Sequence, residues 1–320
     1  MFFSIIIPVY NRPEELHELL NSIRLQSHTD FEVIVIEDGS QVDSKAVIAS
    51  FNSSFSCQYL TQENTGQGFA RNHGMTKATG DFFVILDSDV ILPPDYLKVL
   101  FEAIRTRGLD AFGGPDAAAE DFSTLQKAMD FAMTSFWTTG GIRGNLSDPG
   151  KYQARGFNMG VSREVFEETG GFVDANQGED IEWSIRIKKA GFKLELVQEA
   201  YVYHKRKNTL TSFASQAFSF GRNRVNVSRY HPEAIKAVHL LPTAFMLFCL
   251  SMLLMSFSAT ILFRIEIQIF FLWSVMLVFS SITENKSIKV GLMSWLTSVV
   301  QLCSYGLGLP YEWVRKTFKG

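Results

Sequence analysis

The chain has 320 residues, 46% hydrophobic and 20% charged, with a formal net charge of −3. That composition excludes a disordered chain, and the slight acidity argues against a general nucleic-acid binder, so no nucleic-acid partner is expected. Its three cysteines, Cys57, Cys249 and Cys303, show neither metal-ligand nor disulfide spacing, as in a protein of a reducing cytoplasm.

The N-terminal run FSIIIPV (3–9) has no basic stretch before it and is interrupted by Pro8. It reads as a buried strand and not as a signal peptide. Leu16, Leu19, Leu20 and Ile23 follow at helical spacing, with Asn11 and Pro13 as a helix start, and EVIVI (32–36) is a second buried strand. Strand, helix, strand implies a parallel sheet. The pattern continues with a helix near 42–51, a strand near 57–61, a helix near 67–78 and the strand FFVIL (82–86). A helix near 94–107 and a strand near 109–113 complete this part. Residues 120–200 are less regular, with a glycine-rich loop at 138–145, a strand near 156–161 and a helix near 179–190. A further helix is expected over 209–228.

Three apolar segments follow, near 239–263, 267–283 and 288–309. The first is uncharged over more than the ~20 residues that cross a bilayer. The third contains Gln301, Gly306, Gly308 and Pro310 and is compatible with a span, a re-entrant turn or an interfacial helix. Basic residues dominate 203–236, which places that side in the cytoplasm. The end of the chain, YEWVRKTFKG, is also basic and favours the same side, whereas three spans would put it on the other. The expected organisation is a catalytic domain over 1–235, a membrane domain over 236–310 with two or three helices, and a basic tail over 311–320. The expected setting is the inner cell membrane, with the catalytic domain on the cytoplasmic side.

Ligands of open α/β sheets bind at the carboxyl ends of strands. Tyr10 and Asn11 end the first strand, Asp38 the second, and Asp87-Ser88-Asp89 the FFVIL strand. Carboxylates there suit a hard divalent cation, Mg2+ or Mn2+, although Asp and Ser also favour plain turns. Gly66 opens a GxG run in which Arg71 replaces a third glycine, so a dinucleotide fingerprint is not met. Arg71 is either a phosphate fork or a surface ion-pair residue. Glu179-Asp180 begins an amphipathic helix, where acids also complement the helix dipole.

SIIIPVYNR (4–12), VIVIEDGS (33–40), NTGQGFARNHGMTKATGDFFVILDSD (64–89) and GGFVDANQGEDIEWSIRIKKAGFKL (170–194) resemble, in order and spacing, family 2 glycosyltransferases. The resemblance covers roughly 3–225. It implies the GT-A fold, a Rossmann-like α/β domain with a mostly parallel sheet, and transfer with inversion from a nucleotide-sugar donor. It places Pro8, Tyr10 and Asn11 in the nucleotide pocket and Asp38 on the base or ribose. Gly66 and Arg71 fall near the nucleotide and diphosphate, and Asp87 and Ser88 near the sugar or ribose. Asp89 becomes the metal ligand, with Asp87 and His204 assisting. Asp180 becomes the general base supported by Glu179, and Asn158 and Trp183 lie on the acceptor side. The QxxRW motif of processive members is absent after Gln216, which favours single additions.

UDP is the expected carrier, and a lipid-linked or glycan acceptor at the membrane is the expected partner. A polyprenyl-phosphate acceptor, an inactive membrane scaffold with this fold, and a nucleotidyltransferase are the rival readings. Closure of the loop 138–150 over the donor is a further expectation.

Overall fold

In the computed structural model, the described residues are 1–117, 122–140, 148–204, 209–257 and 261–319. The chain forms two compact units, Met1–Ala119 with Ser147–Lys205, and Glu120–Leu146 with Arg206–Gly320. The boundary expected at 235/236 therefore falls inside the second unit.

In chain order, the first unit begins with β1 (Phe3–Val9), α1 (Pro13–Arg24), β2 (Phe31–Asp38), α2 (Lys45–Ala49), β3 (Cys57–Gln62) and α3 (Gln67–Lys77). Then come β4 (Phe82–Leu86), β5 (Val90–Ile91), α4 (Tyr96–Arg107), β6 (Ala111–Gly113) and β7 (Asp116–Ala117). The chain leaves for the second unit as α5 (Thr124–Thr134) and α6 (Phe136–Thr139). It returns with β8 (Asn158–Ser162), α7 (Arg163–Thr169), α8 (Glu179–Lys189), β9 (Leu194–Leu196) and β10 (Val202–His204). The second unit is completed by α9 (Leu210–Val227), α10 (Leu241–Met255), α11 (Ile261–Asn285) and α12 (Ile288–Lys319).

The main sheet runs β3-β2-β1-β4-β8-β6-β9. β3, β2, β1 and β4 are mutually parallel, and β8 pairs antiparallel with β4 and β6. The apolar runs are buried on both faces because the sheet is covered on both. In β1, Phe3, Ile5, Ile7 and Val9 enter one core cluster and Ile6 the other. In β2, Val33 and Val35 face the first cluster while Ile34 and Ile36 face the second, as the two-residue pleat requires. The parallel strands all point their carboxyl ends to one edge, where the loops after β1, β2 and β4 gather. A small second sheet, β5-β10-β7, adds to β10, which lies within the apolar run YVYH (201–204), the two-residue strands β5 and β7, which were not foreseen.

In the second unit, Ala237–Met255, which contains α10, Ile261–Asn285 and Ile288–Phe318 are long and apolar enough to cross a membrane. The break between the first two falls after Met255, earlier than the apolar runs imply. Arg264 and Glu266 therefore lie inside α11, and Glu266 is buried with Ser251 Oγ donating to it at 2.8 Å. The basic end of the chain is not a separate tail but the last turns of α12. α5 packs in the same unit, with Thr297 Oγ1 donating to the Ala128 carbonyl at 2.8 Å.

Candidate functional site

The loop after β1 is tied to the loop after β2. Asn11 adopts φ 53°, in the left-handed region that Asn tolerates better than most residues. Its amide donates to Ser40 Oγ at 2.7 Å, and its Oδ1 accepts from the amides of Gln41 (2.7 Å) and Val42 (3.1 Å). Pro8 is buried in β1, whereas Tyr10 is 49% exposed beyond its end.

Asp38 faces the chain and not solvent. Its Oδ1 accepts from Gln62 Nε2 (2.8 Å) and the Thr65 amide (2.9 Å), and its Oδ2 from the Gly66 amide (2.9 Å). The carboxylate expected on a base or ribose thus braces the turn into α3. Gly66 sits in that turn at φ 93°, where a Cβ would stand 2.7 Å from Ala175 Cβ. Only glycine fits there without strain.

Arg71 is 0% exposed and is an interior ion-pair residue, not a surface one. Nη2 pairs with Asp87 Oδ1 at 2.6 Å and Nη1 with Glu179 Oε1 at 3.1 Å. The guanidinium lies 5.3 Å from the Phe172 ring centre, and a Cβ at Gly156 would meet Nη1 at 2.6 Å. Gly156 in turn donates its amide to Asp180 Oδ2 at 3.2 Å. Asp87 at the end of β4 and the Glu179-Asp180 pair at the start of α8 are thereby drawn to one place. Glu179 is 4% exposed and also accepts from Gln67 Nε2 at 2.8 Å. Burial lifts its carboxyl to about 7, neighbouring Asp180 adds to the rise, and Arg71 opposes it.

Asp89 lies two residues beyond Asp87, and Arg12 Nη1 reaches its Oδ2 at 2.5 Å. Ser88 between them is buried. β10 pairs antiparallel with β5 in a register that sets His204 opposite Val90, the residue after Asp89. The His204 side chain lies outside the described residues. Asp87 and Asp89 are hard oxygen donors at one strand end, a set that fits Mg2+ or Mn2+. Among the described residues no three His, Cys, Asp or Glu groups form a metal-binding set.

The two residues expected on the acceptor side are both buried. Asn158 is 0% exposed, accepting from Tyr96 Oη at 2.6 Å and donating to the Ala200 carbonyl at 2.9 Å. Trp183 is 0% exposed against Phe172, with Nε1 donating to Thr169 Oγ1 at 2.7 Å. A strand residue flanked by glycines and an aromatic on the inner face of a helix are both core positions. The greater part of the loop 138–150, residues 141–147, lies outside the described residues.

Sequence reasoning passed over Arg12 and Gln67 although both stand inside the quoted motifs. The signal was charge complementarity: each supplies a cation or an amide donor to a cluster otherwise made of carboxylates.

Comparison with known proteins places these features in a wider set. The description "Glycosyl transferase family 2" matches residues 4–170, just over half of the chain. The chain is 25% identical over 231 residues to glycosyltransferase AglE of Haloferax volcanii, covering 71% of this chain and 74% of that protein. It is 25% identical over 245 residues to succinoglycan biosynthesis protein ExoA of Rhizobium meliloti, covering 75% and 74%. Among solved structures, the mannosyltransferase PcManGT from Pyrobaculum calidifontis, in complex with GDP-Man and Mn2+, superposes with a TM-score of 0.65 at 17% identity, covering 93% of this chain and 86% of that one. At that identity the likeness establishes the fold alone, a GT-A-like α/β domain.

Proposed function

Because this chain belongs to glycosyl transferase family 2, we propose that it transfers one sugar, with inversion, from a nucleotide-sugar donor to a membrane-associated glycan or lipid-linked acceptor. The observation that carries the reading is the Arg71 bridge, which brings a strand-end carboxylate and the Glu179-Asp180 pair into one cluster. Metal-assisted inverting transfer needs a carboxylate to hold the cation that faces the diphosphate and a proton acceptor near the attacking hydroxyl, and these two carboxylate positions would supply them.

Asp180 is the general base. The Gly156 amide fixes one of its oxygens while Glu179 is locked behind it by Arg71 and Gln67. The neighbour's GDP-Man and Mn2+ support a nucleoside diphosphate and a divalent cation for this chain too. A cation held by Asp89 and Asp87 would supply positive charge against the diphosphate as the donor bond breaks. Arg12 keeps Asp89 turned toward the β1 loop. Tyr10, exposed at the end of β1, is placed to flank the nucleotide. The basic segment before α10 orients the catalytic unit to the cytoplasmic side of the inner membrane.

The test is a screen of UDP- and GDP-sugars with the full chain in membranes plus Mn2+ or Mg2+. The expected result is release of nucleoside diphosphate and an inverted anomeric product. Asp180→Asn lowers turnover by about 100- to 10,000-fold, the worth of a positioned base. Release of pyrophosphate would make the protein a nucleotidyltransferase, and donor binding without turnover would make it a scaffold.

A further inference from the structure

Residues 225–235 stand immediately before α10 and so lie on the face of the bilayer from which α10 enters. With α10 and α11 both crossing, the chain is back on that face at Ile288, where α12 begins. A third crossing would carry residues 313–317 to the far face, about 30 Å of hydrocarbon away. They are instead beside residues 225–235. Lys316 Nζ donates to the Val225 carbonyl, and Arg222 Nε donates to Glu312 Oε2 at 2.7 Å. Thr243, in the first turn of α10, donates to the Gly306 carbonyl of α12 at 3.0 Å. Both ends of α12 therefore belong to the entry face, and the helix runs along that face.

At the place where the last turns of α12 meet the end of α9 there is a cavity of about 310 Å³. Val225 and Ile235 give it an apolar side, and Ser228, Thr317 and Lys316 a polar one. Trp313, more than half exposed, stands at its rim. Four cations surround a single buried carboxylate here. Glu312 is shared by Arg222, by Arg315, and by Arg229 at 3.7 Å, while Lys316 has a backbone carbonyl as its acceptor. Glu233, in the adjoining turn, is exposed and faces His231 at 4.0 Å. The excess positive charge, the hydroxyls, the apolar wall and the rim tryptophan are the elements of a site at headgroup depth.

We propose that this cavity takes the phosphate of an anionic membrane lipid, held by Lys316 in its wall and by Arg229 beside it. The first methylenes of the lipid lie against Val225 and Ile235. The site depends on α10 and α11 crossing the bilayer and not on the transfer reaction.

The test is native mass spectrometry of the full chain in detergent, titrated with phosphatidylglycerol, a polyprenyl phosphate and phosphatidylcholine. The anionic lipids are retained and phosphatidylcholine is not. Lys316→Ala with Arg229→Ala weakens retention about 30-fold, from the loss of two interfacial cations. Because Lys316 also holds the Val225 carbonyl, Thr317→Trp serves as a second variant; it fills the cavity, keeps both cations, and also abolishes retention. Preference for the polyprenyl phosphate identifies an acceptor lipid, and equal or greater retention of phosphatidylglycerol a lipid of the bilayer. Phosphatidylcholine bound as well as the anionic lipids, or both variants retaining lipid unchanged, overturns the proposal. It is equally overturned if cysteines placed at Tyr230 and Phe318 react with an impermeant maleimide from opposite sides of the membrane.

Discussion

Arg71 Nη1 stands 3.1 Å from Glu179 Oε1 although the two residues are 108 positions apart in the chain. The other arm of the guanidinium holds Asp87, so a single buried cation joins the end of β4 to the start of α8. Removing it strands two carboxylates, one of them fully enclosed. Arg71→Ala is expected to destabilise the protein by about 3–5 kcal/mol, the usual loss when one partner of a buried pair is deleted. Glu179→Gln, which keeps a hydrogen-bond acceptor for Arg71, costs less. Thermal melts of the full chain in detergent measure the order of the two.

The raised carboxyl of Glu179 gives stability a pH dependence of definite sign. Its folded value, about 7, lies above the ordinary 4.5. The native state therefore keeps a proton that the unfolded chain gives up. This contribution is complete below about pH 4.5 and is lost as pH rises through about 7. Glu179→Gln removes the titrating group, so its melting temperature falls less between about pH 5 and 8 than that of the unaltered chain. Parallel slopes for the two proteins would refute the assignment.

Arg12 already gives Asp89 a positive partner, at 2.5 Å. A divalent cation must compete with it. Arg12→Ala is expected to tighten Mn2+ binding about five-fold in the absence of nucleotide, the worth of a part-exposed ion pair. Mn2+ titration followed by electron paramagnetic resonance reads this directly, and unchanged affinity would mean that Asp89 is not a ligand.

Gly156 touches both sides of the cluster, packing on the Arg71 guanidinium and donating to Asp180. Gly156→Ala places a methyl group 2.6 Å from Nη1. Overpacking of this kind costs about 1–3 kcal/mol. The displaced base lowers turnover further, by about 100-fold for a misplacement near 1 Å. Melting and donor-consumption assays on the same preparation separate the two losses.

The alternation of buried runs with helical leucines was enough to read β1 through α4, because parallel strands covered on both faces leave an unmistakable apolar signature. The acids at strand ends were legible for the same reason: after FFVIL, Asp87 can only stand at an edge. What could not be read was direction. Asp38 and Arg71 turn inward, and Asn158 and Trp183 are sealed in the core, because their partners, Gly66, Glu179, Tyr96 and Thr169, come from distant stretches. β5 and β7 are too short to carry a period, and α5 was hidden in a stretch without one. The end of α10 at Met255 was missed because Arg264 and Glu266 look like a boundary, whereas Ser251 lets the buried acid remain inside a helix.

The placement of β8 between β4 and β6 has a consequence for how the protein is made. β1 to β4 can associate as soon as residue 86 has emerged from the ribosome. β6 cannot, since its neighbours are β8 and β9, which are synthesised later. α5 waits longer still, for Thr297 and the rest of α12. At about 5–20 residues per second that delay is on the order of ten to thirty seconds. Throughout it, the Ser123–Gln126 capping box can hold the first turn of α5, but its apolar side has only Leu210 and Phe213 of α9 to rest on once they are made. A nascent chain halted in that interval is the form of this protein most in need of a chaperone.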